Sequence, residues 1–117
     1  MAEGDAFEVV LETGATEGTV VHVTGEVDLA TVPRLEAALA SRPEGTGHVV
    51  DLTECTFVDS SCMRLLASVA RETEERGSRT AVVATDPGVL RMFEITSLDT
   101  VLPVYPSVEA ALAYVAE

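Results

Sequence analysis

The sequence predicts one α/β domain over residues 1–117, with a mixed, mostly parallel central sheet, an N-terminal hairpin and about four helices. Three observations carry this prediction. A chain of 117 residues suits one hydrophobic core. From residue 48 onward, apolar runs and segments of helical periodicity alternate as strand, helix, strand, helix, strand, helix, an order that requires parallel strands joined by right-handed crossovers. Ahead of them stand two more valine-rich runs separated only by a short glycine-containing segment, which reads as a hairpin. No internal repeat, low-complexity tract or linker divides the chain.

Taken in order, "FEVVLE" and "GTVVHVTG" are strands on their valine content, and "TGATEG" is the turn between them. After "GEVDLA" the period changes. Thr31 can cap a helix, Pro33 suits its first turn, and Leu35, Ala38 and Leu39 recur at helical spacing until "SRPEGTG". "HVVDLT" is a short buried-type strand, and "CTFVDSS" leads to an amphipathic helix of roughly 16 residues ending near Gly77. Its Met63, Leu66, Val69 and Ala70 share the core face, while Arg64, Arg71, Glu72 and Glu75 fall largely opposite. "RTAVVAT" is the next strand. Asp86 and Pro87 then open a helix whose Met92 and Phe93 read as packing residues. "VLPVY" reads as a last short strand, and "SVEAALAYVA" as a helix capped by Ser107.

Composition narrows the function. Asp and Glu total 20 against 7 cations, giving a formal charge of −13, which repels phosphate backbones and anionic lipid surfaces. Neither nucleic acid nor a membrane is therefore expected as a partner, and a basic protein surface is. All seven cations are arginine, and with no lysine the chain has neither a Schiff-base nucleophile nor a P-loop lysine. The opening "MAEGDAFEVV" lacks the basic and apolar regions of a signal peptide, so a cytoplasmic location is expected. Cys55 and Cys62 have no metal-ligand or redox spacing and read as small buried thiols; no metal and no cofactor is expected.

The chemistry concentrates in "TFVDSSCMRLL". Asp59, Ser60 and Ser61 can each cap the following helix; equally, a helix start at the carboxyl end of a strand favours phosphate. Glu26 and Asp28 of "GEVDLAT" are either solvated loop acids or an acidic rim around the serines. Cys62 is either an inert buried thiol or a redox-sensitive one, since a helix N-terminus favours thiolate. A serine hydrolase is disfavoured, because "VDSSC" lacks the flanking glycines of a nucleophile elbow and His22 and His48 lie in strands. A phosphoaspartate receiver built on Asp51 would need the absent lysine.

The segments "VTGEVDLATVPRLEAAL", "VVDLTECTFVDSSCMRLL" and "DPGVLRMFEITSLDTVLPVYPSVEAAL" together resemble, in order and spacing, the STAS domain of anti-sigma-factor antagonists. The resemblance covers nearly the whole chain and implies a single STAS-like domain, usually monomeric. It implies that Ser60, the first serine after the aspartate, is a phospho-acceptor. It also implies three functional steps. The unphosphorylated form binds an anti-sigma factor that is a serine kinase, phosphorylation ends that binding, and a PP2C-type phosphatase resets it. Asp59, Ser61, Cys62, Arg64, Glu26, Asp28 and Thr31 would flank Ser60 or meet the partner. One position departs from the family pattern: Cys62 stands where glycine is usual, placing a side chain where a partner would approach. The alternative reading is a STAS module that is not phosphorylated and binds a nucleotide or lipid, or serves as a scaffold.

Overall fold

The valine-rich runs become the strands of one five-stranded sheet in the order β1-β2-β3-β4-β5. The computed structural model describes residues 7–14, 18–43 and 47–116. The strands are β1 (Glu8–Gly14), β2 (Gly18–Val27), β3 (His48–Val58), β4 (Thr80–Val83) and β5 (Val104–Tyr105). The helices are α1 (Val32–Ala40), α2 (Ser60–Glu75), α3 (Pro87–Ile95) and α4 (Val108–Val115). β1 pairs antiparallel with β2, and every later neighbour pair is parallel, as the element order requires. Parts of the predicted turn "TGATEG" and of "SRPEGTG" lie outside the described residues.

Period-two alternation sorts the strand residues between two layers. Val21, Val50 and Val82 face α1, α2 and α3, where Leu35, Leu39, Leu66 and Phe93 complete the main core. Val20, Val49 and Ala81 face the other way, against Ala111 and Val115 of α4. Phe93 and Leu66 are almost wholly buried, each worth about 1.5–3 kcal/mol of transfer free energy. Met63 also belongs to the core, whereas Met92 only packs against its edge.

Two expectations change. β3 continues through "ECTFV" to Val58 instead of ending near Thr53, because register shifts against β2 let the pair run on into the loop. "VLPVY" contributes only Val104 and Tyr105 to the sheet. A 3₁₀ turn, Leu98–Thr100, takes up the preceding chain, and Pro103 has no N–H for a ladder. The end of α2 is as predicted. Gly77, at φ +79°, and Ser78 donate to the Glu74 and Thr73 carbonyls, a Schellman arrangement that stops the helix.

The two histidines have opposite environments. His48 is fully buried, its Nε2 3.2 Å from the Thr80 hydroxyl and its Nδ1 without a hydrogen-bond partner among the described residues. Burial, and secondarily the Arg42 charge, push its pKa down to about 3. His22 bridges two strands, with Nδ1 2.8 Å from Asp51 and Nε2 2.9 Å from Glu12. Burial alone would lower its pKa, but the two carboxylates together outweigh burial and raise it. As pH falls from 6.5 toward 3, unfolded His48 takes up a proton that the folded state refuses. Its contribution to stability should therefore fall by up to about 1.4 kcal/mol per pH unit across that window. His22 contributes the opposite trend: its stabilisation is complete below pH 6.5 and lost as pH rises through its raised folded pKa. Denaturant titrations of wild type and His48→Gln across the acid window check the first effect. A wild-type minus variant difference that does not change with pH would contradict it.

Candidate functional site

Two loops at the carboxyl ends of β2 and β3 meet at the start of α2. The Asp59 N–H donates to the Val27 carbonyl at 3.1 Å, tying the second loop to the first. Asp59 is the N-cap of α2, and its Oδ1 accepts from the Ser61 N–H at 2.9 Å, the Ser61 hydroxyl at 2.5 Å and the Cys62 N–H at 3.3 Å. The Leu29 N–H also donates to this carboxylate, so Asp59 binds both loops. The Ser61 hydroxyl contributes most to holding the Asp59 carboxyl below the usual carboxylate range; burial opposes it, and the three backbone donors add to the lowering. Asp59 is therefore ionised at neutral pH.

The three candidate capping residues thus take separate roles. Asp59 caps. Ser61 is buried and donates its hydroxyl to Asp59. Ser60 is exposed, and among the described residues its hydroxyl makes no hydrogen bond. Arg64 lies one helical turn on, exposed on the same face of α2. The expectation that Ser61 faces a partner is corrected: about 100° of helical rotation separates it from Ser60 and turns it under the Asp59 carboxylate.

Cys62 takes the first of its two expected roles, a buried thiol. Its side chain points into the core with no exposed surface, so a partner approaching the helix start does not meet it. Burial, then the neighbouring Cys55 and Asp59, push the Cys62 thiol up to about 12; burial likewise leads in pushing Cys55 to about 12. These are two free, inert thiols, not a redox pair. A thiol-reactive chromophore should label neither cysteine in the folded protein and both after denaturation. Rapid labelling of Cys62 in the native state would overturn this assignment.

The "GEVDLAT" segment forms a self-bonded turn. The Asp28 carboxylate accepts from the Ala30 and Thr31 N–H groups at 3.0 and 3.1 Å. Thr31 does not cap α1 with its side chain. Its hydroxyl accepts from the Asp28 N–H at 2.9 Å and donates to the Glu26 carbonyl at 2.9 Å, because its own helical backbone angles turn the hydroxyl back toward the loop. Glu26 is exposed, and Asp28 is half-buried within the turn. The two acidic loops are thus adjacent, held by the Asp59–Val27 and Leu29–Asp59 hydrogen bonds.

Sequence reasoning missed the apolar part of this surface. Leu29 is 75% exposed in the loop bonded to Asp59, and Phe57, in register with Glu26, is 47% exposed. An apolar residue inside "EVDLAT", where nothing in the spacing demands core burial, was the available signal for Leu29. Among the described residues, no group of His, Cys, Asp or Glu could hold a metal ion, and no helix is long and apolar enough to cross a membrane.

The fold has known counterparts. The chain is 30% identical over 100 residues to the anti-sigma-F factor antagonist RsfA of Mycobacterium tuberculosis, an alignment covering 80% of this chain and 77% of that protein. The crystal structure of an anti-sigma factor antagonist from Mycobacterium paratuberculosis matches over 100% of both chains, with a TM-score of 0.86 and 30% identity. SpoIIAA, an anti-sigma factor antagonist solved in its unphosphorylated form, matches over 88% of this chain and 92% of its own, with a TM-score of 0.72 and 25% identity. The family model described as "Mlab, STAS domain" matches residues 11–104, and with it the chain belongs to the STAS domain family, among relatives that are anti-sigma factor antagonists.

Proposed function

We propose that this STAS domain is an anti-sigma-factor antagonist whose surface around Ser60 docks an anti-sigma factor serine kinase, and that phosphorylation of Ser60 ends the contact. The observation that carries this reading is the division of labour between the serines. Ser61 is buried and committed to Asp59, while Ser60 presents an unbonded hydroxyl at the exposed start of α2. Around it, Leu29 and Phe57 supply apolar area, and Glu26, Asp28 and Arg64 supply charge for orientation. The acidic rim suits a basic kinase surface, and a PP2C-type phosphatase would reset the switch.

The same geometry disfavours the rival reading of a nucleotide-type ligand at this helix start. The Ser61 and Cys62 N–H groups that would cradle a phosphate already donate to Asp59, whose negative charge occupies that position.

Calorimetric titration of the unphosphorylated domain into each candidate anti-sigma kinase of the same genome tests the proposal. Saturable binding is expected to persist in Ser60→Ala, which removes only a hydroxyl, and to weaken about tenfold or more in Leu29→Ala if that side chain anchors the interface. No binding by the unphosphorylated wild type would refute the docking role.

A further inference from the structure

One exposed stripe of α2 runs through Ser60, Arg64 and Ser68 at successive turns, while Ser61, Cys62 and Met63 turn into the protein. Residues four apart on a helix have Cβ atoms about 5–6 Å apart, a gap that an arginine side chain spans. Helical side chains also lean toward the N-terminus, so that of Arg64 projects over the turn that Ser60 begins.

The surroundings of Arg64 differ from those of the other arginines. Arg34 and Arg79 lie over the Phe7 and Tyr114 rings, and Arg42 is 3.7 Å from Glu72. Arg71, Arg76 and Arg91 each have a glutamate three or four residues away in sequence. On α2 the positions three and four residues from Arg64 are Ser60, Ser61, Ala67 and Ser68, none of them acidic. Among the described residues Arg64 makes no hydrogen bond or ion pair, in a chain that sets 20 acids against 7 cations. The acid nearest to it in sequence, Asp59, is committed to Ser61, Cys62 and the Leu29 N–H. A cation without an anion thus stands one turn from the hydroxyl that the proposed switch modifies, and that modification creates the missing anion.

We propose that Arg64 is the built-in counter-ion of phosphorylated Ser60: its guanidinium closes on the phosphate oxygens in the free domain, and so withdraws the cation that the unphosphorylated surface offers a partner. This deepens, and rests on, the reading of Ser60 as phospho-acceptor. The planar fork of guanidinium N–H donors matches a phosphate through two parallel hydrogen bonds. The order along the helix is also the favourable one, with the anion N-terminal and the cation four residues on. A phosphoserine carries roughly −1.5 to −2 at neutral pH, so one arginine leaves it net negative and the repulsion expected at the partner surface persists. Phosphorylation then acts twice on the interface, adding an anion and removing a cation.

Phosphorus NMR of the full chain, with phosphoserine installed at position 60 by genetic encoding, tests the pairing without a kinase. The second pKa of the phosphate, ordinarily about 6, should lie roughly 0.3–0.5 of a pH unit higher in Arg64→Gln than in the protein with Arg64, because the guanidinium favours the dianion. Arg64→Lys should keep part of the difference, and about 1 M salt should reduce it by screening an exposed pair. Asp59, Glu26 and Asp28 face the phosphate equally in all three proteins, so the comparison isolates Arg64. In nitrogen–proton spectra the Arg64 Nε–H signal should also move when Ser60 carries phosphate. A phosphate pKa that Arg64→Gln leaves unchanged, or an Nε–H signal that phosphate does not move, would overturn the proposal. Because the phosphate is installed during synthesis, either result would count against Arg64 alone, whereas a kinase that leaves Ser60 unmodified would count against the switch alone.

Discussion

Phosphorylation of Ser60, or Ser60→Asp, is expected to weaken the complex with the anti-sigma kinase at least about a hundredfold while leaving the fold unchanged. The fold survives because Ser60 is exposed, makes no internal hydrogen bond among the described residues, and sits at the positive end of the α2 dipole. That end of a helix favours a negative group by about 0.3–1 kcal/mol. The complex does not survive because two of the helix-start N–H groups that would otherwise hold the phosphate are already committed. Ser61 and Cys62 already donate their N–H groups to Asp59, whose carboxylate is held ionised beside the phosphate by those same bonds. Pressed against a partner, the phosphate would lose its hydration next to Asp59 and within reach of the acidic loop at Glu26 and Asp28. Each 1.4 kcal/mol or so of that penalty is a tenfold loss, so about two such increments give the expected effect. Calorimetry with wild type and Ser60→Asp, alongside matched thermal unfolding, separates the interface effect from any change in stability. Tight binding by Ser60→Asp would show that charge at this position is tolerated.

Asp59→Ala is expected to cost about 2–3 kcal/mol of stability, toward or beyond the upper end for loss of an N-cap. One carboxylate here serves the Ser61 N–H, the Ser61 hydroxyl, the Cys62 N–H and the Leu29 N–H. Alanine would leave the buried Ser61 hydroxyl without its acceptor and release the Leu29 loop from α2. Because the folded pKa of Asp59 lies below its ordinary 3.8, its stabilisation is complete above that pH and is lost as pH falls through the folded value. Asp59→Asn keeps an acceptor and should recover roughly half of the loss. Denaturant unfolding of the three proteins at neutral pH measures this. A cost below about 0.5 kcal/mol for alanine would mean the cap is not what joins the loops.

How far the sequence could be read follows from the range of the signals involved. Helix starts at Asp86 and Ser107 were legible because a capping side chain and the amides it serves are local in sequence. The mixed, mostly parallel sheet was legible because alternation of strand and helix requires parallel pairing, and the N-terminal hairpin adds the one antiparallel pair. β5 was legible as a last short strand but its length was not, because all of "VLPVY" has the composition of a strand, while its pairing depends on where the 3₁₀ turn and Pro103 deliver it beside β4. Thr31 was misread for a similar reason. It has a good capping side chain, but the Glu26 carbonyl and Asp28 compete for its hydroxyl, a competition visible only once the loop is folded. At the site, the motif marked the start of α2 but could not assign Asp59, Ser60, Ser61 and Cys62 to cap, surface and core. That assignment comes from helical rotation against a particular core.

The central claim is that Ser60, and not Ser61, is the residue on which the partner acts. Intact mass and phosphosite mapping after incubation with ATP, Mg²⁺ and the anti-sigma kinase that binds the domain test it most directly. The account predicts one added phosphate on wild type, mapped to Ser60 and absent from Ser60→Ala. A phosphate retained in Ser60→Ala, or mapped to the buried Ser61, would contradict it.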